Sequence, residues 1–198
     1  LDFELTLALD KLPKLTYRVE LPGGQTRLRE AILYICQKCS DAPHFGLTKL
    51  NKMLWLADFT SFAERAQPVT GRTYQRLDSG PAPVEMLPLL NDMLRNQEIA
   101  IDDARVLTFD ERRPRALVSP TTRNFSSSDL SYLDMAIQRY WNLTGRDVSD
   151  KSHGVAWKTR KNGDPMPYES AYFDDDPLGV IAKSKLERVA KARGLKSL

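Results

Sequence analysis

The stretch Leu47–Arg65, LTKLNKMLWLADFTSFAER, decides the fold. Leu47, Leu50, Leu54 and Ala57 recur at helical spacing, and Met53, Trp55, Leu56, Phe59 and Phe62 cover much of the remaining circumference. A helix apolar on most sides is surrounded by other elements, not laid on a surface. Each large side chain buried there contributes ~1.5–3 kcal/mol, so this helix organises the core. Lys49, Lys52, Asp58 and Glu64 are the positions expected to face water.

Flanking segments supply what surrounds it. Residues 26–39 read as a helix with Leu28, Ile32, Ile35 and Cys39 on one face, Thr26 as N-cap, and an end at Pro43. MLPLLNDMLRNQEIAI, from Met86, is a further amphipathic helix. Its Pro88 either sits in the first turn or kinks a helix that starts at Pro83. FSSSDLSYLDMAIQRYW opens on a serine run suited to capping and continues with the stripe Leu130, Leu133, Ile137, Tyr140. A short helical piece containing SHGVAW (152–157) follows a turn at Thr144-Gly145. Asp176 and Pro177 open a last, basic helix, with Asp174–Asp176 at its positive end.

Strand signals are fewer. LTYRVELPGG alternates at Leu15, Tyr17, Val19 and Leu21, which predicts an N-terminal strand. RVLTFD (105–110) and RALVSP (115–120), joined by ERRP, predict a β-hairpin that this strand could join. The expectation is a mainly α protein with minor β. One helical domain (26–175) surrounds the buried central helix, an extended segment (1–25) precedes it, and a basic C-terminal helix (176–198) follows.

Composition excludes some classes of function. The 198 residues are 41% hydrophobic and 28% charged, as in ordinary soluble domains, and no apolar run reaches the ~20 residues of a membrane span. LDFELTLALDKLPK lacks the basic start and cleavage site of a secretory signal, so a cytoplasmic location is expected. The chain opens on Leu1 instead of Met, as numbering that starts inside a longer chain would. A formal charge of +3 is too small to argue for nucleic acid. Two basic groups stand out locally: Arg112, Arg113, Arg115 and Arg123 around the hairpin, and Lys183, Lys185, Arg188, Lys191, Arg193 and Lys196 at the C-terminus. Both fit solvated surfaces.

No phosphate loop, nucleophile elbow, HExxH pair or dinucleotide fingerprint is present. Cys36-Gln-Lys-Cys39 falls late in a helix, where buried structural thiols are expected. A zinc site would have to recruit His44 and His153 as well, and redox work is the remaining alternative. His153 has Ser152 beside it and Asp150 three residues before, but a packed, hydrogen-bonded histidine is the favoured reading. Helix, helix, helix, basic hairpin is also the order of a winged helix, although VEMLPLLNDMLRNQE is acidic or apolar where a DNA-reading helix carries early cations.

RLDSGPAPVEML (76–87) places one Gly and two Pro within four residues. Prolines remove backbone donors and fix φ, so this is a rigid corner and not a phosphate cradle. With this corner in hand an ordered set emerges. LTKLNKMLWLADF (47–59) resembles the Leu-x-Lys-Leu helix of the Panacea domain, the SocA-like antitoxin family. TGRTYQRLDSGPAPVEM (70–86) is similar to that family's Gly-Pro segment, and LSYLDMAIQRYW and DKSHGVAW to its later helix and its Ser-His…Trp element. The likeness runs from about Leu28 to Trp157. Trp55 stands where the family usually has Tyr, and Ser79 where an aromatic usually precedes the Gly-Pro pair.

The resemblance implies a small, mainly helical antitoxin that binds a toxin encoded beside it. At least one member hands its toxin to a protease, which makes a protease a second candidate partner. It carries no catalytic residues and no cofactor across. The motif positions it singles out are Lys49, Leu50, Lys52, Leu54, Trp55, Gly80, Pro81, Ser152, His153 and Trp157. Expected partner contacts are Tyr74 and Arg76 beside the corner, and Tyr168, Tyr172 and Phe173 in the late loop, the last three having packing of the C-terminal helix onto the body as an equal alternative. The rival functions are a DNA-binding regulator and an enzyme with a site near His153.

Overall fold

The structure is a computed structural model that describes residues 15–106 and 109–172. It is mainly α with minor β. Helix α1 spans Thr26–Lys38, α2 Leu47–Arg65, α3 Met86–Arg95, α4 Ser127–Tyr140, α5 Gly145–Lys151 and α6 Val155–Lys158. Strands β1 (Tyr74–Gln75), β2 (Ala82–Pro83) and β5 (Pro165–Met166) form one small sheet in the order β2-β1-β5, and β3 (Ile99–Val106) pairs with β4 (Phe109–Ala116) in a hairpin. A 3₁₀ turn follows at Tyr168–Tyr172. The expected C-terminal helix, with Asp174–Asp176, lies outside the described residues.

Helix α2 is the centre. It packs against α1, α4, α5, β2, β4 and the 3₁₀ turn. Leu50, Met53, Leu54, Ala57 and Phe59 are fully buried. So, against expectation, are Lys49 and Asp58, with Lys52 only 2% exposed; of the four polar positions Glu64 alone is exposed. Once every face of a helix is covered, no side is left for its polar residues. They must find partners inside.

Local signals account for most boundaries. Ser126 caps α4 and Thr144 caps α5, each in a reciprocal box with the Asp three residues on. Pro88 falls in the first turn of α3, where its missing N–H costs nothing. Thr26 is not a cap: Gln25 takes that place without a side-chain bond.

Two strand expectations need correction. Residues 15–21 form no strand among the described residues, and they do not join the hairpin. Instead Val19 N–H donates to Gly71 O (3.0 Å) and Thr16 O accepts from Tyr168 N–H (2.7 Å). The hairpin exists with a different register. ERRP lies inside β4, with Arg113 opposite Asp102 and Pro114 opposite Ile101. The composition is that of a turn, yet Arg113 reaches across to the carbonyls of Cys39, Ser40 and Ala42, where α1 ends.

Candidate functional site

β1 and β2 pair antiparallel, Tyr74 with Pro83 and Gln75 with Ala82, so residues 76–81 form the tip of a tight excursion. Gly80 sits there at φ +97°. A Cβ on it would collide with Ser152 Oγ and stand 2.7 Å from Lys52 Cε and 2.8 Å from Lys52 Nζ. Only glycine meets both the backbone angle and the close approach.

Three alternate carbonyls of the tip are each taken by a donor from a different helix. Trp157 Nε1 of α6 donates to Leu77 O (2.7 Å). Ser149 Oγ of α5 donates to Ser79 O (2.9 Å). Lys52 Nζ of α2 donates to Pro81 O (2.7 Å). Residues far apart in sequence thus fix one corner onto the domain. Ser152 Oγ, buried against Gly80, donates to Ser149 O (2.7 Å).

Burial pulls the Lys52 ammonium down to about 7. His153 is held below its usual value, chiefly by burial and then by the charge of Lys52, with Asp150 opposing. Its ring stacks on Trp157 at 3.7 Å and 14°, and its Nε2 lies 3.4 Å from Ser149 Oγ. Arg76 Cζ lies 4.1 Å from the centre of the same indole. His153 and Arg76 therefore both pack on Trp157.

Lys49 works in the same way elsewhere. Its Nζ donates to Pro43 O (2.8 Å) and Trp141 O (2.6 Å), tying the α1–α2 loop to the end of α4. Leu50, Leu54 and Trp55 are core. Asp58 accepts from Thr70 N–H (2.5 Å), from the Thr70 hydroxyl and from Tyr74 Oη (2.8 Å); burial raises its pKa and these bonds oppose the shift.

The expected contact residues divide. Tyr74 and Tyr168 are buried, one donating to Asp58 and the other to Arg72 O (2.6 Å), both packed on Phe59. Tyr172 is half-buried near Phe62, and the Arg76 side chain is 16% exposed. Phe173 lies outside the described residues. Exposed apolar side chains sit at Val84 and at Leu87, which is 72% exposed, just after the corner.

Polar groups that sequence reasoning missed include Ser149, whose only signal was its i, i+4 spacing from His153. A second is the buried triad Arg27–Asp129–Arg65. Arg27 Nη2 lies 2.9 Å from Asp129 Oδ2, Arg65 bonds the other oxygen, and Arg27 Nε donates to Val69 O (2.6 Å). Burial works to raise the Asp129 pKa, but Arg65, the Ser126 amide and Arg27 hold it low.

Lys52, Ser149 and Trp157 are engaged in holding the backbone of the corner, and Arg76 in pairing with Asp78. A groove of about 240 Å³ bounded by Leu15, Val155, Pro167 and Glu169 contains none of the three carbonyl donors. Cys36 and Cys39 are buried free thiols, both pushed up by burial, Cys39 to about 12. Among the described residues no group of three His, Cys, Asp or Glu could hold a metal ion.

A family model described as antitoxin SocA-like, Panacea domain, matches residues 50–158. That is more than half of the chain. The chain belongs to this family. Lys52, Gly80, Pro81, Ser149, Ser152, His153 and Trp157 all lie within the matched span, so the Panacea match covers the entire corner cluster. It begins inside α2, leaving α1 outside, which is shorter than the resemblance read from about Leu28. No curated protein and no solved structure gives a match. Membership indicates a toxin–antitoxin role and a non-enzymatic one. No helix among the described residues is long and apolar enough to cross a membrane.

Proposed function

We propose that this chain is a cytoplasmic antitoxin that neutralises a cognate, adjacently encoded toxin by binding it directly. One observation carries the reading beyond family membership: the polar residues of the matched motifs are engaged in building a surface. Lys52, Ser149 and Trp157 each commit a donor to a carbonyl of the corner. What they hold in place is a tip followed by exposed Val84 and Leu87, with Arg76 on Trp157 beside it. Arg76 and Tyr172, both partly buried, are the candidate contacts left at the surface, and Tyr74 and Tyr168 support it from beneath. A toxin masked in this way buries ~1,200–2,000 Å² in total, which a domain of this size can provide.

DNA binding is the weaker alternative. Two of the hairpin cations invoked for it are occupied, Arg113 on the end of α1 and Arg115 on Asp102 at 3.1 Å. The decisive experiment co-expresses the chain with the product of the adjacent reading frame. Growth arrest by the neighbour alone, relieved by the chain and accompanied by a purified complex, is the expected result. A harmless neighbour, or arrest that persists, refutes the antitoxin reading.

A further inference from the structure

Three basic side chains converge on the tip of the corner. Lys52 Nζ donates to Pro81 O (2.7 Å) and stands against Gly80. Arg76, at the base of the tip, packs on Trp157 and reaches Asp78 Oδ1 (2.6 Å) and Asn162 Oδ1 (3.3 Å). The His153 ring bonds the Asp78 backbone, and since that bond favours the charged imidazole it is made to the carbonyl. With Trp157 on Leu77 O and Ser149 on Ser79 O, the carbonyls of Leu77, Asp78, Ser79 and Pro81 are all held by side chains from outside the tip.

The acids beside these cations are placed less well. The charged groups acting on His153 are Lys52 from α2, Arg76 from the tip and Asp150 from α5, while α6 contributes the Trp157 ring. Asp78 turns its carboxylate to Arg76 with its side chain 85% exposed, and Asp150 is exposed as well. A carboxylate in water offsets a partly buried cation weakly, because solvent screens it. A proton added to His153 therefore sets one more positive charge beside Lys52 and Arg76 where little opposes it.

Resting on the antitoxin reading above and adding regulation to the same surface, we propose that His153 is an acid-triggered latch: protonation of its ring beside Lys52 and Arg76 lifts the tip from α5 and α6 and weakens toxin binding at the adjoining Val84 and Leu87.

The direction follows from linkage. In the latched corner the ring takes its proton below the usual histidine value, since burial and then Lys52 outweigh Asp150 and the Asp78 bond. A ring released into water returns to about 6.5. Between those two values the released corner binds more protons than the latched one, so falling pH favours release. Lys52 primes the device. Its pKa of about 7 leaves it charged before the imidazole titrates.

The test follows the chain alone and then the complex. The Trp157 indole N–H, donor to Leu77 O, reports the latch by hydrogen exchange, read as a protection factor so that the intrinsic effect of pH divides out. From about pH 7.5 to about pH 5.5 its protection is expected to fall about tenfold while the amides of α2 stay protected. Affinity for the product of the adjacent reading frame should fall about fivefold or more over the same range. His153→Gln keeps an amide donor and cannot take up the proton, so both responses should vanish. Asp150→Asn, an exposed change, removes the acid that favours the charged ring, so the midpoint should move to lower pH.

Protection that stays level between the two pH values, or a fall that survives in His153→Gln, overturns the latch. An Asp150→Asn midpoint that moves upward overturns it too. Release of the tip with unchanged toxin affinity overturns the regulation and leaves the antitoxin reading intact. A wild-type chain that loses protection at acid pH yet binds the neighbour at neither pH removes the antitoxin reading and leaves the movement of the tip.

Discussion

Lys52→Met should change the pH dependence of stability more than stability itself. Lys52 is 2% exposed, and burial brings its pKa down to about 7 from the 10.5 of an ordinary lysine. Between those values the unfolded chain holds a proton that the folded chain has released. Stability from this residue therefore rises with pH, starting near 7 and levelling off above 10.5. Where the two states differ by one bound proton, stability changes by ~1.4 kcal/mol for each step of one in pH, so the wild-type protein gains about 2 kcal/mol from Lys52 between about pH 7 and pH 9.

Methionine has similar bulk, no charge and no donor. It leaves Pro81 O without the Lys52 bond, which costs ~1–3 kcal/mol, but it removes the penalty of burying an ammonium. The two effects oppose at pH 7, and by pH 9 the burial penalty has shrunk by about 2 kcal/mol while the lost bond stays. Denaturant unfolding of both proteins at pH 7, 8 and 9 measures the difference directly. The thiols, whose folded pKa values are raised, cost stability in both chains as pH climbs through 9. Subtracting one protein from the other isolates Lys52 together with its effect on His153. A wild-type minus variant difference that stays flat from pH 7 to 9 would refute the reasoning, because Lys52 would then keep its proton inside the fold.

Three further outcomes are expected. Gly80→Ala should cost about 2–4 kcal/mol in chemical unfolding, from the left-handed backbone and the collision with Ser152 and Lys52; a loss under about 1 kcal/mol would mean the corner yields easily. Trp157→Phe keeps an aromatic ring against His153 and Arg76 but removes one of two donors to Leu77 O, leaving the Gly80 N–H at 2.9 Å, so about 1 kcal/mol should be lost, read from the shift in urea midpoint. Asp129→Ala takes the shared carboxylate from two arginines and the reciprocal half of the α4 capping box, for about 3–5 kcal/mol; a thermal melt within a few degrees of wild type would contradict that.

Periodicity alone locates the helices at 26–38 and 47–65 within a residue, because apolar spacing and flanking breakers act locally. The rigid corner is legible for the same reason: Gly and Pro restrict φ wherever they stand. Strands are harder. Residues 15–21 alternate as a strand does, but they meet Gly71 and Tyr168 in isolated backbone bonds and form no ladder. ERRP has turn composition and lies in β4, since Arg113 is pulled to the carbonyls at the end of α1.

The sequence by itself determined which helix is central and that the chain stops at Gly80–Pro81. It could not say where Lys49, Lys52 and Asp58 go, because each is polar and polar residues default to water. That was decided when α4, α5 and the 3₁₀ turn closed around α2 and left no solvent face. Tertiary closure likewise turned Tyr74 and Tyr168 from candidate contacts into core, and brought Trp157, Ser149 and Lys52 onto three carbonyls of one tip. Long-range satisfaction of buried backbone groups has no period and leaves no local mark, so only the folded chain reveals it.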